Sequence, residues 1–346
     1  WPCYARGAES RQIDRMLRSL SARAEHWPLH TPFRIARGVK TAADVVAVTL
    51  TRGVQRGRGE SVPYARYGES LASVLEQIAG VSSSIEGGAD REALAALLPP
   101  GAARNALDCA LWDLEAQETG VSVASRLGLA PPGPIVSALT VSLDAPEAME
   151  AAASRMTGAR LVKVKVDRDL IEARLRAVRR AAPEARLIVD PNESWDIETL
   201  AAVQPVLAEL KVDLVEQPLP AGADDDLAGF TSCAPICADE ACHTADDLAS
   251  LKGRYQVVNI KLDKTGGLTG ALDLLTAARR EGFGVMVGCM VSSSLSIAPA
   301  FHVARHADFV DLDGPIWLAK DHPGGARQVG AELHPPEGLW GELQDA

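Results

Sequence analysis

The stretch RLVKVKVDRDLIEARLRAVRRAAPEARLIVD, residues 160–190, begins and ends with an apolar, β-branched run and has a helical pattern between them. The helical part has arginines on one face and small or apolar side chains on the other, namely Leu170, Ala173, Leu175 and Val178. Each flanking run has the length and composition of a buried strand. A strand, a helix and a second strand in this order predict one βαβ unit of a parallel sheet.

The same alternation of an apolar run and a helical stretch continues along the chain after residue 133. The eight runs are IVSALTVSL, RLVKVKVD, RLIVDPNESW, DLVEQPL, PICADEA, VVNIKLD, GVMVGCMV and FVDLDGP. They recur about every 25 residues, which is the length of one βα unit. Eight parallel strands with intervening helices predict an α/β fold of the TIM-barrel type over residues 134–320.

The chain before the barrel predicts a separate α+β domain. Residues 24–50 are strand-like, and DVVAVTL within them is β-branched. Three helical segments follow, which are YGESLASVLEQIAG, ADREALAALL and AARNALDCALWDLEAQETG. Strands followed by helices indicate a domain over residues 16–130, which APPGP joins to the barrel.

The two ends of the chain are expected to lie outside these domains. Residues 321–346 are rich in Pro and Gly and should return to the first domain. Residues 1–15 lack the apolar core of a signal peptide, and Met16 offers a natural start. We therefore expect residues 1–15 to be an upstream or non-native extension.

Composition argues against several classes of partner. The formal net charge of −11 argues against nucleic acid and against an anionic membrane surface, both of which require clustered Lys and Arg. The uncharged run at residues 282–304 contains Ser, Pro and Gly, so it predicts a core strand and helix rather than a membrane span. Six cysteines in a chain of this length do not form a disulfide framework and favour a reducing, cytoplasmic location.

Charged residues stand at the ends of several predicted strands. The steps from Lys165 to Asp190, Glu216, Asp239 and Lys261 are 25, 26, 23 and 22 residues, one βα unit each. Because the C-terminal ends of barrel strands meet at one mouth, these five side chains should converge there. A salt bridge at a strand end explains any one of them, whereas five in register on successive strands indicate an active site.

Three carboxylates on consecutive strands are unfavourable together unless a cation lies between them. Oxygen ligands without His or Cys favour Mg²⁺, with Mn²⁺ as the alternative. Lys163 and Lys165 are two residues apart on one strand and point the same way, while Lys261 should approach a substrate from the opposite face. We expect the second ammonium and the metal to lower a lysine pKa towards neutrality, so that the lysine can act as a general base.

These residues resemble the enolase superfamily, muconate-lactonizing subgroup, and within it the dipeptide epimerases of the L-Ala-D/L-Glu type. The resemblance rests on VKVKVD, VDPNESW, VEQPLP, ADE, NIKLDKTGGLTGAL and DLDGPIWL in the barrel. WPLHTPFRIARG, PYARYGES and ALWDLEA extend it to the first domain, so it covers the chain from about residue 27 onward. It implies a (β/α)₇β barrel with an α+β capping domain.

The resemblance also implies a reaction and a role for each charged strand end. The reaction is inversion of the α-carbon of the C-terminal residue of a dipeptide, through an enediolate, by proton transfer between two lysines. The implied roles are catalysis by Lys165 and Lys261 with Lys163 assisting, and Mg²⁺ binding by Asp190, Glu216 and Asp239.

A set of substrate contacts follows from the same resemblance. Asp311 and Asp313, an Asp-x-Asp pair on the last strand, are expected to bind the free ammonium of a dipeptide. Arg37, in a lid loop, is expected to meet a second substrate carboxylate, which suggests L-Ala-Glu from cell-wall peptides. The remaining implied contacts are Thr140, Lys163, Cys289 and Val291.

Other functions stay open on the sequence alone. The same scaffold supports N-acyl amino acid racemases, o-succinylbenzoate synthases and muconate cycloisomerases, whose substrates lack the ammonium that Asp311 and Asp313 suit. A sugar-acid dehydratase uses a His base at a late strand, and no predicted strand from the sixth onward ends in His. A non-catalytic metal-binding barrel has no use for the paired lysines. The oligomeric state cannot be inferred from this pattern.

Overall fold

The computed structural model of the protein describes residues 18–343. The predicted extension at residues 1–15 lies outside the described residues. Within residues 18–343, no helix combines the length and the apolar character that a membrane crossing requires. The described chain forms a small antiparallel sheet with helices, followed by a parallel barrel and a short C-terminal segment.

The N-terminal unit is a three-stranded antiparallel sheet covered by helices. Its strands are β1 (Ser19–Ile35), β2 (Gly38–Arg52) and β3 (Gln55–Ser61), in that order across the sheet. The helices that follow are α1 (Leu71–Glu86), α2 (Arg91–Leu97), α3 (Ala102–Thr119) and α4 (Val123–Arg126). The strand-like region at residues 24–50 therefore forms parts of two strands, joined by a turn at residues 36–37.

Helix α3 packs directly on β3 because two glycines of this strand have no side chain. A Cβ at Gly57 would lie 2.2 Å from the carbonyl oxygen of Ala110, and one at Gly59 would lie 2.1 Å from that of Ala106. Helix α3 is therefore buried along most of its length and forms the centre of the N-terminal unit.

The barrel contains eight parallel strands, and each is hydrogen-bonded to the next in chain order. They are β5 (Leu139–Val141), β6 (Leu161–Lys165), β7 (Arg186–Asp190), β8 (Leu214–Glu216), β9 (Ile236–Ala238), β10 (Val257–Ile260), β11 (Gly284–Gly288) and β12 (Phe309–Asp311). The first and last strands meet through a 2.7 Å hydrogen bond from the Ala138 amide to the Val310 carbonyl. The predicted barrel with an α+β capping domain is confirmed.

The helices between the barrel strands are unequal in length. They are α5 (Pro146–Ser154), α6 (Ile171–Ala181), α7 (Ile197–Glu209), α8 (Leu248–Leu251), α9 (Leu262–Thr265), α10 (Leu268–Arg280), α11 (Ser294–Ile297) and α12 (Phe301–Ala304). The described connection between β8 and β9 contains only a 3₁₀ turn at Asp225–Leu227. One of the seven predicted crossover helices is therefore reduced to a turn.

The run IVSALTVSL does not form a single strand. Its first residues form β4 (Ile135–Val136), which pairs with β14 (Glu332–His334) outside the barrel. Strand β14 also pairs with β13 (Arg327–Val329), so a small antiparallel sheet stands beside the barrel. Further along, Trp340 donates from Nε1 to the Cys109 carbonyl in α3, at 3.0 Å. The C-terminal segment thus contacts both the barrel and the capping domain.

The buried face of α6 differs from the predicted one. Leu170 precedes the helix with φ of 48°, and 59% of it is exposed. Ala173 is exposed as well, whereas Ile171 and the predicted Leu175 and Val178 are buried. The prediction was wrong for Leu170 because a left-handed residue ahead of the helix leaves the helical periodicity.

Side chains fill the barrel interior in layers, because they alternate along each strand. The lower layer is apolar and consists of Ala138, Leu161, Ile188, Leu214, Cys237, Val257, Met286 and Phe309. Two positions further along the chain, the buried residues are Thr140, Lys163, Asp190, Glu216, Asp239, Asn259 and Asp311. An apolar floor therefore lies beneath a polar layer at the C-terminal ends of the strands.

Candidate active site

The two lysines predicted to be catalytic lie on opposite sides of the barrel mouth. Lys165 ends β6 and Lys261 follows β10, and three strands separate β6 from β10 in the ring of eight. Lys165 Nζ lies 2.5 Å from Asp190 Oδ2, and Lys261 Nζ lies 2.7 Å from Asp239 Oδ2. Both lysines are buried. A molecule held between them would meet one amine on each face.

Lys163 lies at the centre of an acidic cluster. Its Nζ is 2.6 Å from Glu216 Oε2, 2.8 Å from Asp311 Oδ2 and 3.1 Å from Asp190 Oδ2. Burial alone would lower the pKa of Lys163, but these carboxylates raise it well above its usual value. These carboxylates act against the lowering of a lysine pKa that the second ammonium and a bound cation are expected to produce. Burial and Asp239 act in the same opposing way on Lys261, whose pKa is also raised.

The three predicted metal ligands are almost completely inaccessible to solvent. Asp190, Glu216 and Asp239 are each at most 2% exposed. Burial acts to raise the pKa of all three, but the lysines hold the pKa values of Asp190 and Asp239 below their usual range. For Glu216, burial and the neighbouring Asp190 raise the pKa. The three carboxylates thus depend on cations to remain charged.

The donor set of this cluster fits a hard divalent cation. It consists of carboxylate oxygens alone, and Glu216 Oε2 is buried without a well-aligned hydrogen bond, although Lys163 Nζ lies beside it. The three carboxylates are nevertheless spread out, with lysine ammonium groups between them. Within residues 18–343, the only His, Cys, Asp or Glu trio with ligand atoms all within 4.8 Å is Glu25, Glu60 and His322.

Two further residues support the carboxylates, and neither was predicted from the sequence to be a site residue. Lys264 Nζ donates to Asp239 Oδ1 at 2.7 Å and to the Asn259 carbonyl at 2.9 Å. Asn259 Nδ2 donates to Glu216 Oε1 at 2.9 Å. Asn259 precedes Lys261 by two residues, so strand periodicity places both side chains on the inward face. This spacing could have identified Asn259 as a site residue. No comparable local pattern identifies Lys264.

The Asp-x-Asp pair lies at the end of β12. Asp313 Oδ2 accepts a 2.7 Å hydrogen bond from the Thr140 amide, and burial together with Asp311 raises the pKa of Asp313 to about 7. Asp311 Oδ1 is buried and has no hydrogen-bond partner among the described residues. Two adjacent acids with an unpartnered oxygen form a suitable site for an ammonium group.

A cavity of about 500 Å³ lies above the polar layer, between the barrel and the capping domain. The sequence-predicted site residues that line it are Arg37, Thr140, Lys163, Lys165, Asp239, Lys261, Cys289, Val291, Asp311 and Asp313. Asp190 and Glu216 are not among the lining residues and lie beneath the lysines that contact them. The structure therefore brings all the predicted residues to one place, in two tiers. The upper tier lines the cavity, and the lower tier consists of Asp190 and Glu216.

Arg37 connects the capping domain to the barrel loops. Its guanidinium donates to Glu193 Oε2 at 2.9 Å, to the Asn192 carbonyl at 2.7 Å and to Glu240 Oε1 at 2.5 Å. The hydroxyl of Tyr64 accepts a further bond at 2.8 Å. Arg37 lies at the cavity as predicted, but both of its terminal nitrogens donate to protein acceptors. No sequence pattern indicates these partners.

A (β/α)₇β barrel whose mouth holds lysines on either side of buried carboxylates, under an α+β cap, defines an enolase-type enzyme. The chain belongs to the mandelate racemase/muconate lactonizing enzyme family of this superfamily. The family's N-terminal domain matches residues 17–128, and the enolase C-terminal domain-like model matches residues 147–335.

Three proteins that resemble this chain over most of its length have a known activity or a solved structure. The chain is 51% identical to the L-Ala-D/L-Glu epimerase of Escherichia coli, over 92% of this chain and 100% of that protein. It is 48% identical to the N-acetyl-D-glutamate racemase of a Pseudoalteromonas species, over 82% of this chain and 91% of that protein. An enolase family member from Agrobacterium tumefaciens, solved with sodium and L-Ala-L-Glu, has a TM-score of 0.91 at 48% identity and covers 94% of this chain and 100% of that chain.

Proposed function

We propose that the protein is a Mg²⁺-dependent dipeptide epimerase of the L-Ala-D/L-Glu type. The similar proteins of known activity are epimerases and racemases, which are isomerases. The observation that carries the proposal is the placement of Lys165 and Lys261 on opposite sides of one mouth, with an acidic pair at its edge. Inversion of a stereocentre needs a proton donor and a proton acceptor on opposite faces, and this arrangement supplies both.

Mg²⁺ is the proposed cofactor, with Mn²⁺ as the alternative. Asp190, Glu216 and Asp239 are the residues that would hold it, because they are buried oxygen donors on neighbouring strands. When bound, the cation supplies positive charge that stabilises the negative charge formed on the substrate carboxylate as the α-proton leaves. Lys264 and Asn259 keep two of these carboxylates in place.

The lysines are proposed to move the proton. One of Lys165 and Lys261 removes the α-proton of the C-terminal residue, and the other returns a proton to the opposite face. In the reverse direction the two lysines exchange roles. Lys163, which contacts both tiers of the site, assists by placing positive charge next to the substrate carboxylate.

The remaining residues are proposed to hold the dipeptide. Asp311 and Asp313 bind its free ammonium, and the unpartnered Asp311 Oδ1 is available to accept that bond. Thr140 fixes Asp313 through its amide. Cys289 and Val291 contribute to the adjacent wall, while contact of Arg37 with substrate stays a prediction. The capping-domain residues over the cavity would exclude water from the reacting centre.

N-acyl amino acid racemisation is the second candidate function, because one similar protein is an N-acetyl-D-glutamate racemase. An N-acyl substrate has no ammonium, so Asp313 and the unpartnered Oδ1 of Asp311 would face an amide, and among residues 18–343 only the contact of Lys163 with Asp311 Oδ2 would compensate the pair. This cost favours the dipeptide. The o-succinylbenzoate synthase and muconate cycloisomerase reactions have the same disadvantage.

The biological setting is a further part of the proposal. An L-Ala-Glu substrate would come from cell-wall peptides, which places the enzyme in cell-wall peptide metabolism. The five described cysteines are all unpaired, which fits a reducing, cytoplasmic compartment.

The test is ¹H NMR of the purified protein with Mg²⁺ and a panel of dipeptides in D₂O. We expect the α-proton signal of the C-terminal residue to disappear while the other diastereomer accumulates, fastest for L-Ala-Glu. If N-acetyl-Glu exchanges and no dipeptide does, the second candidate is correct. If no compound exchanges, the catalytic role of the lysines is wrong.

A further inference from the structure

Left-handed backbone is concentrated directly after the strands that carry the proposed metal ligands. Among residues 18–343, five non-glycine residues have a positive φ, and three of them are Asn192 at 48°, Glu193 at 66° and Gln217 at 36°. Asn192 and Glu193 follow β7, which ends in Asp190, and Gln217 follows β8, which ends in Glu216. Such backbone is unfavourable for residues other than glycine and persists only where surrounding contacts impose it.

The side chain of Gln217 joins its own strand end to the loop that begins with Asp239. It is completely buried, and its Oε1 accepts hydrogen bonds from the amides of Asp239 at 2.9 Å and Ala241 at 3.0 Å. Its Nε2 donates to the Leu219 carbonyl at 2.8 Å and to the Tyr255 hydroxyl at 2.9 Å. Both lone pairs and both protons of the side-chain amide are thus used, which fixes its orientation.

The main chain of Gln217 makes two further connections. Its amide donates to the Cys237 carbonyl of β9 at 2.8 Å. Its carbonyl accepts a 2.9 Å hydrogen bond from the amide of Glu193, in the loop that follows β7. One residue therefore connects the ends of all three strands that carry the proposed metal ligands.

This connection bears on how the carboxylates meet a cation. Three carboxylates bind one divalent cation only when their oxygens reach it together, and repulsion between like charges opposes that arrangement. Hydrogen bonds to the backbone beside the ligands hold the strand ends against this repulsion. Gln217 is not among the residues that line the cavity, so it acts through the ligands that it connects.

We propose that Gln217 is a positioning residue, which fixes the relative placement of Asp190, Glu216 and Asp239 and so strengthens Mg²⁺ binding. This inference rests on the proposed function and concerns its metal site. Loss of a residue that orients metal ligands typically weakens metal binding by about 10–100-fold. A residue with a structural role alone would change the stability of the protein and leave its metal affinity unaltered.

The experiment measures the Kd for Mn²⁺ from the EPR signal of the free ion, without substrate, and the urea midpoint of each protein. The proteins are the wild type, Gln217→Met and the control Gln204→Met. Gln204, in α7, is a matched control because its Oε1 also accepts a backbone amide, that of Cys233 at 2.7 Å, at a distance in sequence from every proposed ligand. We expect Gln217→Met to raise the Kd by about 30-fold. Gln204→Met should lower the urea midpoint and leave the Kd unchanged.

A second variant keeps the inference testable if Gln217→Met does not fold. Tyr255→Phe removes one acceptor of the Gln217 side chain and retains the ring. We expect it to raise the Kd by about 3-fold, and an unchanged Kd would then overturn the inference.

The remaining outcomes separate the inference from the proposed function. If Gln217→Met folds and its Kd stays within about 2-fold of the wild-type value, the inference is wrong, whatever its urea midpoint. If the wild type binds Mn²⁺ but exchanges the α-proton of no dipeptide, the proposed function fails, while the comparison of Kd values still decides the role of Gln217. If the wild type binds no Mn²⁺, both fail.

Discussion

Replacement of Lys163 by Met tests how the metal-free site remains folded. The substitution removes the one ammonium that contacts Glu216, Asp311 and Asp190 together. Asp190 keeps its 2.5 Å contact with Lys165. Within residues 18–343, neither Glu216 nor Asp311 has another ion pair, so the variant leaves two carboxylates buried without a cation.

The expected size of the effect follows from this arrangement. Removing one partner of a buried ion pair costs about 3–5 kcal/mol, because the remaining charge stays desolvated. Two carboxylates lose their only ammonium contact, so we expect the free energy of unfolding without metal to fall by about 5 kcal/mol. Protonation of Glu216 limits the loss, since burial already raises its pKa. A bound divalent cation should compensate Glu216 but not Asp311, and so recover about half of the loss.

The assay is urea unfolding followed by tryptophan fluorescence, in EDTA and in saturating Mg²⁺. Lys252→Met is the matched control, because its side chain is 57% exposed and its loss should cost less than about 0.5 kcal/mol. The reasoning is refuted if Lys163→Met loses less than about 1 kcal/mol in EDTA, or if Mg²⁺ leaves its deficit unchanged.

Three further substitutions test other parts of the account. Asp313→Asn should lower kcat/KM for L-Ala-L-Glu by about 100-fold and that for N-acetyl-Glu by less than about 3-fold, and an equal loss for both would contradict ammonium binding. Burial raises the pKa of Glu60 to about 8, so its neutral form contributes stability below pH 4.5 that is lost as the pH rises through 8. Glu60→Gln should remove up to about 5 kcal/mol of that pH dependence in unfolding experiments, and an unchanged slope would show that Glu60 is ionised in the folded protein. Gly57→Ala should destabilise the protein by about 3 kcal/mol, because its Cβ would lie 2.2 Å from the Ala110 carbonyl, whereas Gly80→Ala should not destabilise it, because its Cβ would meet nothing within 4 Å beyond its chain neighbours and the backbone of its own helix.

The fold and the general location of the site were predictable because both follow from local periodicity. Leu161, Lys163 and Lys165 occupy alternate positions of one strand, so one apolar floor residue and two charged residues necessarily share the inward face. The regular spacing of strand ends then places Asp190 and Asp239 at the same mouth once the strands form a barrel. These inferences need no knowledge of side-chain partners.

The partners themselves depend on tertiary geometry and were not predictable. Arg37 and Glu240 are 203 residues apart in sequence, and nothing in either segment indicates their contact. Lys264 leaves the strand in the short helix α9, where a charged residue is ordinarily exposed, yet its side chain is completely buried against Asp239. The raised pKa of Lys163 was not predictable for the same reason, since it depends on how many carboxylates surround one ammonium.

The central claim is that two lysines transfer the α-proton on opposite faces of the substrate. The measurement that tests it most directly is ¹H NMR in D₂O of Lys165→Ala and Lys261→Ala, each incubated with Mg²⁺ and either L-Ala-L-Glu or L-Ala-D-Glu. We predict that neither variant inverts the centre, and that each exchanges the α-proton of one diastereomer only, with the two variants acting on opposite diastereomers. A variant lacking either lysine that still inverts the centre at the wild-type rate would contradict the two-base account.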